Sequence, residues 1–176
     1  MNKTSKAKYY IIAIVFLILL VALDQWTKYL AVSHLVGNPF VLIDGVFEFR
    51  YLENRGSAFG MLQNKRAFLL VIGVLVLGCA ALYFVKLPWT RKMNSLRILA
   101  VFIAAGGIGN MIDRIRLGYV VDFFYFKLID FPIFNVADIY VTVSIILLFI
   151  LILFFFKEEE LAAFSLFSKK DEGTHE

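Results

Sequence analysis

One cysteine and two histidines are all that this 176-residue chain offers to thiol or imidazole chemistry. Cys79 lies in an apolar run, so a disulfide framework is excluded, and a lone cysteine there reads as a small apolar side chain. His34 stands alone and His175 lies in the tail, which excludes a histidine-based metal site of the H-E-x-x-H kind. Net charge is a modest +4 and the basic residues are scattered. There is no basic stripe of the sort a nucleic-acid binder carries, so no nucleic-acid partner is expected.

Apolar residues are what the chain has in excess. They make up 61% of it, against about half in a soluble domain, and this alone predicts a membrane protein. Four apolar stretches approach the length of about 20 residues needed to cross a bilayer. They run over residues 9–30, 67–87, 96–112 and 139–156, the third being short and rich in Gly and Ala. The first has the lysine-rich start of a signal peptide, with a small-x-small site at Ala31-Val32-Ser33. Asp24 and Lys28 interrupt the approach to that site and three further spans follow, so an uncleaved span is preferred.

Lysine and arginine set the expected orientation. Lys3, Lys6, Lys8, Lys86, Arg91, Lys92, Arg97, Lys157, Lys169 and Lys170 fall on one side of a four-span path, and eight basic residues on the other. The bias is sharpest at the first span and the short middle loop, which places both termini in the cytoplasm. The loops around 31–66 and 113–138 then face outward. Phe47-Glu48-Phe49-Arg50-Tyr51 alternates apolar and polar residues after the turn signal Asp44-Gly45, predicting a small sheet on the outer surface. Phe123, Phe124, Tyr125, Phe126, Phe131 and Phe134 predict an interfacial segment, interrupted by Pro132, that covers a site like a lid.

The carboxylates at the span ends are the candidate functional groups, since acids beside lipid are costly. Asp24 and Lys28 have the spacing of a helical ion pair, the acid supporting a site rather than doing chemistry. Asn110, Asp113 and Arg114 share one helical face, behind Ala104-Ala105-Gly106-Gly107-Ile108-Gly109, whose small residues permit close helix packing. This cluster is either a polar packing network or a substrate contact through Asn110 or Arg114. Asn54-Arg55-Gly56-Ser57-Ala58-Phe59-Gly60 is an ordinary turn or a place where Gly56 lets backbone approach a ligand. Asp138 opens the fourth apolar run, where a helix N-terminus favours a carboxylate. Asp122 sits among Val120, Val121, Phe123 and Phe124, where apolar surroundings and a nearby Asp138 would raise its pKa. Two carboxylates pushed apart in pKa give an acid and a base. The alternative is a helix cap and a solvated surface acid. A serine-based reading, Ser57 with Lys65 or Lys28, has no second supporting feature.

Taken in order, Asp24-Gln25-Trp26-Thr27-Lys28, the 54–60 motif, Gly109-Asn110-Met111-Ile112-Asp113-Arg114, Val120-Val121-Asp122-Phe123 and Phe134-Asn135-Val136-Ala137-Asp138 resemble the lipoprotein signal peptidase (signal peptidase II) family of membrane aspartic proteases. The resemblance spans residues 24–156. It implies four transmembrane helices with a small extracytoplasmic β-element in one unit over residues 1–156, followed by a cytoplasmic tail at 157–176. It implies Asp122 and Asp138 as catalytic aspartates, with supporting or substrate-contacting roles for Asp24, Lys28, Asn54, Gly56, Asn110, Arg114 and Asn135. It implies a bacterial cytoplasmic-membrane enzyme, active as a monomer among membrane lipids, without metal or cofactor, and with its site near the extracytoplasmic face. The implied substrate is a prolipoprotein carrying diacylglycerol on its lipobox cysteine, cut just before that cysteine, and the implied inhibitors are globomycin-type cyclic peptides. Two other classes stay open on the residues alone: a small transporter or channel subunit, whose acids would sit at mid-depth, and a non-catalytic membrane scaffold.

Overall fold

A computed structural model of the chain describes residues 3–56, 62, 63 and 65–157. Four helices carry it: α1 (Lys3–Leu35), α2 (Arg66–Lys86), α3 (Met93–Arg116) and α4 (Val136–Phe154). Each is long and apolar enough to cross a membrane. Three strands, β1 (Phe40–Ile43), β2 (Phe47–Asn54) and β3 (Val120–Tyr125), form one antiparallel sheet in the order β1-β2-β3. A 3-10 turn at Lys127–Ile129 separates β3 from α4.

The helix ends differ from the apolar runs for physical reasons. α3 continues past Ile112 to Arg116 because its polar residues find partners inside the protein, described below. It stops where Gly118 takes φ +85°, the left-handed conformation that closes a helix C-terminus without a Cβ clash. α2 ends at Lys86, with Leu87 extended (ψ 135°) before Pro88, as a residue preceding proline tends to be. The orphan carbonyls at that end are taken by Arg97, buried on α3, which donates to Phe84 O, Leu87 O and Pro88 O. Its guanidinium also lies 3.9 Å from the centroid of the Trp89 ring. Cys79 on α2 is exposed rather than buried.

α3 is the centre of the bundle, and α1, α2 and α4 all pack on it. Its small residues make this possible. A Cβ on Gly106 would collide with the carbonyl oxygen of Ala137 on α4, and one on Gly109 with the carboxylate of Asp24 on α1. The outer faces are apolar all round, as lipid requires: Ile18, Leu75 and Phe149 are all exposed.

The predicted strand and the turn before it are present, as a β1–β2 hairpin turning at Gly45 with φ +70°. Of the aromatic segment expected at the interface, residues 123–125 belong to the sheet, while the stretch from Phe126 to Pro132 lies outside the strand. Val120–Tyr125 is strand β3, paired with β2 in a register that sets Leu52 opposite Asp122 and Phe49 opposite Phe124. Phe134 straps back onto the same strand through backbone bonds with Phe123 and Phe124. The aromatic side chains that suggested interfacial anchoring are also among those that favour a pleated, half-buried surface. Val121 and Phe123 pack with Ala31, fixing the sheet to α1.

Candidate active site

The site lies at the end of the bundle where the sheet sits. It is built from α1, α3 and α4, from β3, and from the end of β2 with the turn that follows it. Asn135 is the N-cap of α4: its side-chain oxygen accepts from the amide of Asp138, and the Asp138 carboxylate accepts in return from the Asn135 amide. This reciprocal capping box satisfies two orphan amides. The Asn135 side-chain amide is turned the other way. It donates to Asp122 Oδ1 at 2.6 Å and to Asn110 Oδ1 at 3.2 Å. One buried asparagine therefore binds both Asp122 and Asp138.

Each carboxylate has a second amide. Asn54 Nδ2 reaches Asp122 Oδ2 at 2.9 Å, and Asn110 Nδ2 reaches Asp138 Oδ1 at 2.8 Å. The side chain of Asn54 also accepts from the amide of Gly56, forming a tight turn. Arg114 holds that turn by donating to Gly56 O at 3.1 Å, and its other nitrogen reaches Asn110 O at 3.4 Å. Residues 57–61, including Ser57 and the rest of that motif, lie outside the described residues.

Beneath the carboxylates is a buried charge cluster. Lys28 is 3% exposed and has three N–H donors, all engaged: Asp24 Oδ2 at 2.9 Å, Asp113 Oδ2 at 3.0 Å and Asn110 Oδ1 at 2.9 Å. Asp24 is fully buried. Its second oxygen accepts from the amide of Ala137 in the first turn of α4. Asp113 also accepts from the amide of Val121, tying α3 to β3. The ion-pair partner of Asp113 is thus Lys28 rather than its neighbour Arg114. Among the described residues no buried side-chain polar atom lacks a partner, as a buried charged network requires to be tolerable.

Burial, and secondly the charge of Asp138, push the Asp122 carboxyl up to about 7. The amides of Asn54 and Asn135 pull in the opposite direction without cancelling this. A carboxyl that is about half protonated near pH 7, and is raised in part by the charge of a second carboxyl, suits a shared-proton pair. Asp130 is different: it is exposed, in a left-handed turn (φ +47°), and accepts from the Tyr125 hydroxyl at 2.5 Å.

The structure brings together Asp24, Lys28, Asn54, Gly56, Asn110, Arg114, Asp122, Asn135 and Asp138, nine residues drawn from five sequence motifs. It adds one that residue-by-residue reading passed over. Gln25 Nε2 lies within reach of Asp24 Oδ2, Gly109 O and Asp113 Oδ1, bridging α1 and α3. The available signal was an amide next to an acid inside an apolar run.

Four membrane-crossing helices around a buried carboxylate network at one end define a multi-pass membrane protein equipped for hydrolytic chemistry. The family model described as signal peptidase (SPase) II matches residues 16–155. The lipoprotein signal peptidase of Streptococcus thermophilus (strain CNRZ 1066) is 47% identical over 135 residues, covering 76% of this chain and 87% of that protein. That of Streptococcus pyogenes serotype M5 (strain Manfredo) is 48% identical over 133 residues, covering 75% and 86%. A solved structure described as a bacterial membrane enzyme, obtained by the in meso method at 2.3 Å resolution, aligns with a TM-score of 0.72 at 30% identity, covering 93% of this chain and 94% of that one. The chain belongs to the signal peptidase II family, and it is a membrane peptidase.

Proposed function

We propose that this chain removes the signal peptide from bacterial prolipoproteins already carrying diacylglycerol on the lipobox cysteine, cutting just before that cysteine, with Asp122 and Asp138 as the catalytic pair. The observation that carries this reading is the double attachment of Asn135, which ties the buried Asp122 and the half-buried Asp138 carboxyl groups to one residue. The pair holds one proton between its two members near neutral pH. The ionised member takes a proton from a water, and the oxygen attacks the scissile carbonyl. The neutral member donates its proton to the carbonyl oxygen. Collapse of the tetrahedral intermediate breaks the C–N bond, with a proton passing to the cysteine nitrogen. The signal peptide leaves with a new carboxyl end. No step uses a metal or a covalent enzyme intermediate. The pair titrates as a unit, so neither aspartate is assigned as the base.

The surrounding residues receive positioning roles. Asn54 and Asn110 orient the two carboxylates, Arg114 holds the Gly56 turn beside them, and Asp24 and Lys28 fix the relative heights of α1, α3 and α4. Residues 1–156 act as one unit and 157–176 as a cytoplasmic tail. In this reading the protein is a monomer of the bacterial cytoplasmic membrane, with both termini inside and the sheet end outside. The lipid anchor of the substrate stays in the bilayer while its scissile bond reaches water. Globomycin-type cyclic peptides should occupy the same site. A transporter reading is disfavoured because these carboxylates stand at helix ends rather than at mid-depth.

The deciding experiment uses purified protein in detergent with excess EDTA and a peptide bearing a diacylglyceryl-modified lipobox cysteine. Cleavage just before the modified cysteine is expected. Absence of cleavage, or equal cleavage of the unmodified peptide, would overturn the proposal.

A further inference from the structure

α1 and α2 both lean on α3 and scarcely touch one another. A cleft of about 370 Å³ opens between them. Ile14 and Leu17 of α1 and Leu77 and Ala81 of α2 form its walls, with Ala100 and Ala104 of α3 behind. Such a lining favours hydrocarbon over water. At the end away from the sheet the cleft narrows at Tyr10 and Phe84, whose rings are 5.7 Å apart. Trp89 stands against Tyr10 at 5.5 Å and against Tyr9 at 5.7 Å.

On the far side of that aromatic edge is a second cavity of about 280 Å³, lined by Tyr9, Trp89, Thr90, Arg91 and Asn94. Its lining is mixed, two aromatic rings beside the polar side chains of Thr90, Arg91 and Asn94. Lys6 Nζ lies 5.9 Å from the centroid of the Trp89 ring. Arg91 is exposed; its backbone oxygen accepts from the amide of Asn94, and its guanidinium makes no hydrogen bond or ion pair among the described residues. Arg97, close by, is not available, because its donors are committed to backbone carbonyls and to Asn94. No acid occurs in residues 3–23 or 66–112, so these ends of α1, α2 and α3 present cations alone. Glu158, Glu159 and Glu160, beyond α4, lie outside the described residues.

A cationic pocket and an apolar cleft that meet at a Trp-Tyr edge have the two-part chemistry of a phospholipid. Basic pockets between transmembrane helices hold anionic headgroups, and Trp and Tyr settle at headgroup depth. We propose that this is a binding site for a glycerophospholipid with an anionic headgroup: its phosphate between Arg91 and Lys6, and one acyl chain in the α1–α2 cleft. The site lies at the opposite end of the bundle from Asp122 and Asp138, so it stands whether or not the proposed peptidase specificity does.

The chain has two tryptophans, so Trp26→Phe leaves Trp89 as the sole reporter. This variant is reconstituted in phosphatidylcholine vesicles containing matched amounts of either acyl-dibrominated phosphatidylglycerol or acyl-dibrominated phosphatidylcholine. Brominated phosphatidylglycerol should quench Trp89 more strongly. Removing one cation with Arg91→Gln should lower the relative affinity about fivefold, and adding Lys6→Gln should lower it further. Quenching by brominated phosphatidylcholine should stay unchanged, showing that the bundle is intact. Equal quenching by the two lipids, or a preference that survives the double substitution, would overturn the proposal. Soluble glycerol phosphate added to the detergent-solubilised protein should leave Trp89 emission unchanged. A spectral shift there without any lipid preference would assign the pocket to a free phosphate and also overturn it.

Discussion

Asp24 on α1 accepts a hydrogen bond at 2.9 Å from the backbone amide of Ala137 on α4, across 113 residues of sequence. A side chain from one helix thus caps another. The amide it takes is one of the first-turn donors of α4 that have no partner within their own helix. Asp24 and Lys28 are therefore more than a pair that lessens the cost of charge near lipid. They fix where α4 begins, and so where Asp138 stands.

Asp122→Asn and Asp138→Asn should each nearly abolish cleavage of the lipidated peptide. General acid–base help is worth roughly 10²–10⁴-fold, and losing one member of a pair that works as a unit costs more than its share. Asparagine keeps the volume of aspartate and loses its proton chemistry. Both variants should still insert and bind a globomycin-type inhibitor. Asp130→Asn is the control: it is exposed, and asparagine tolerates its left-handed backbone. Substantial turnover in either of the first two, or loss of turnover in the third, would show that the wrong carboxylates have been chosen.

The pH dependence of stability should report Asp122. Its carboxyl ionises at 3.8 when unperturbed and at about 7 in the fold. Between these values the folded chain keeps a proton that the unfolded chain has released. Stability therefore falls as pH rises through this window and levels off above it. Asp122→Asn removes this contribution. Thermal unfolding in detergent should show the variant gaining on the parent between about pH 5 and about pH 8, because the parent alone must ionise a buried group. A constant difference across that range would contradict the assignment.

Lys28→Met and Asn54→Ala should fail in different ways. The first leaves Asp24 and Asp113 buried without their cation, a change that costs about 3–5 kcal/mol. It should lower the yield of folded protein. The second removes one donor from Asp122 at the edge of the site, so turnover should fall more than yield does. Rates normalised to folded protein, measured by inhibitor binding, separate the two.

Two glycine substitutions test the packing. Gly109→Ala drives a methyl group into the Asp24 carboxylate, and overpacking of this kind costs about 1–3 kcal/mol. At Gly78 nothing lies within 4 Å of the added carbon. There alanine should be neutral or stabilising by up to about 1 kcal/mol, the helix-propensity difference. Melting temperatures of the two variants in one detergent should move in opposite directions or differ plainly.

Reporter fusions test the proposed orientation. Joined after Ser33, Trp89, Tyr125 and Lys170, they should read outside, inside, outside, inside. An outside signal at Trp89 would reverse the assignment.

Much of this architecture was legible because lipid imposes simple rules. Long apolar runs must be helices, and small residues such as Gly106 and Gly109 must lie where helices meet. The grouping of Asp24 with Lys28, and of Asn110 with Arg114, followed from helical spacing alone. The strand bearing Asp122 was not legible. Val120–Tyr125 is buried along its first four residues, so it lacks the alternation that marks a half-exposed strand. Nor was the trans-cap from Asp24 to Ala137, since a backbone amide leaves no trace in residue identity. For Asn135 the resemblance implied only a supporting or substrate-contacting role. The residues themselves suggested a cap at Asp138, and the contact of Asn135 with Asp122 depends on where β3 lies.

The two central carboxylates stand on different elements. Asp122 is on β3, and Asp138 is in the first turn of α4. The Asn135 side chain is the direct coupling between them. In the proposed reaction, the spacing of the two carboxylates is therefore set by one asparagine, which joins the seat of the sheet to the start of α4.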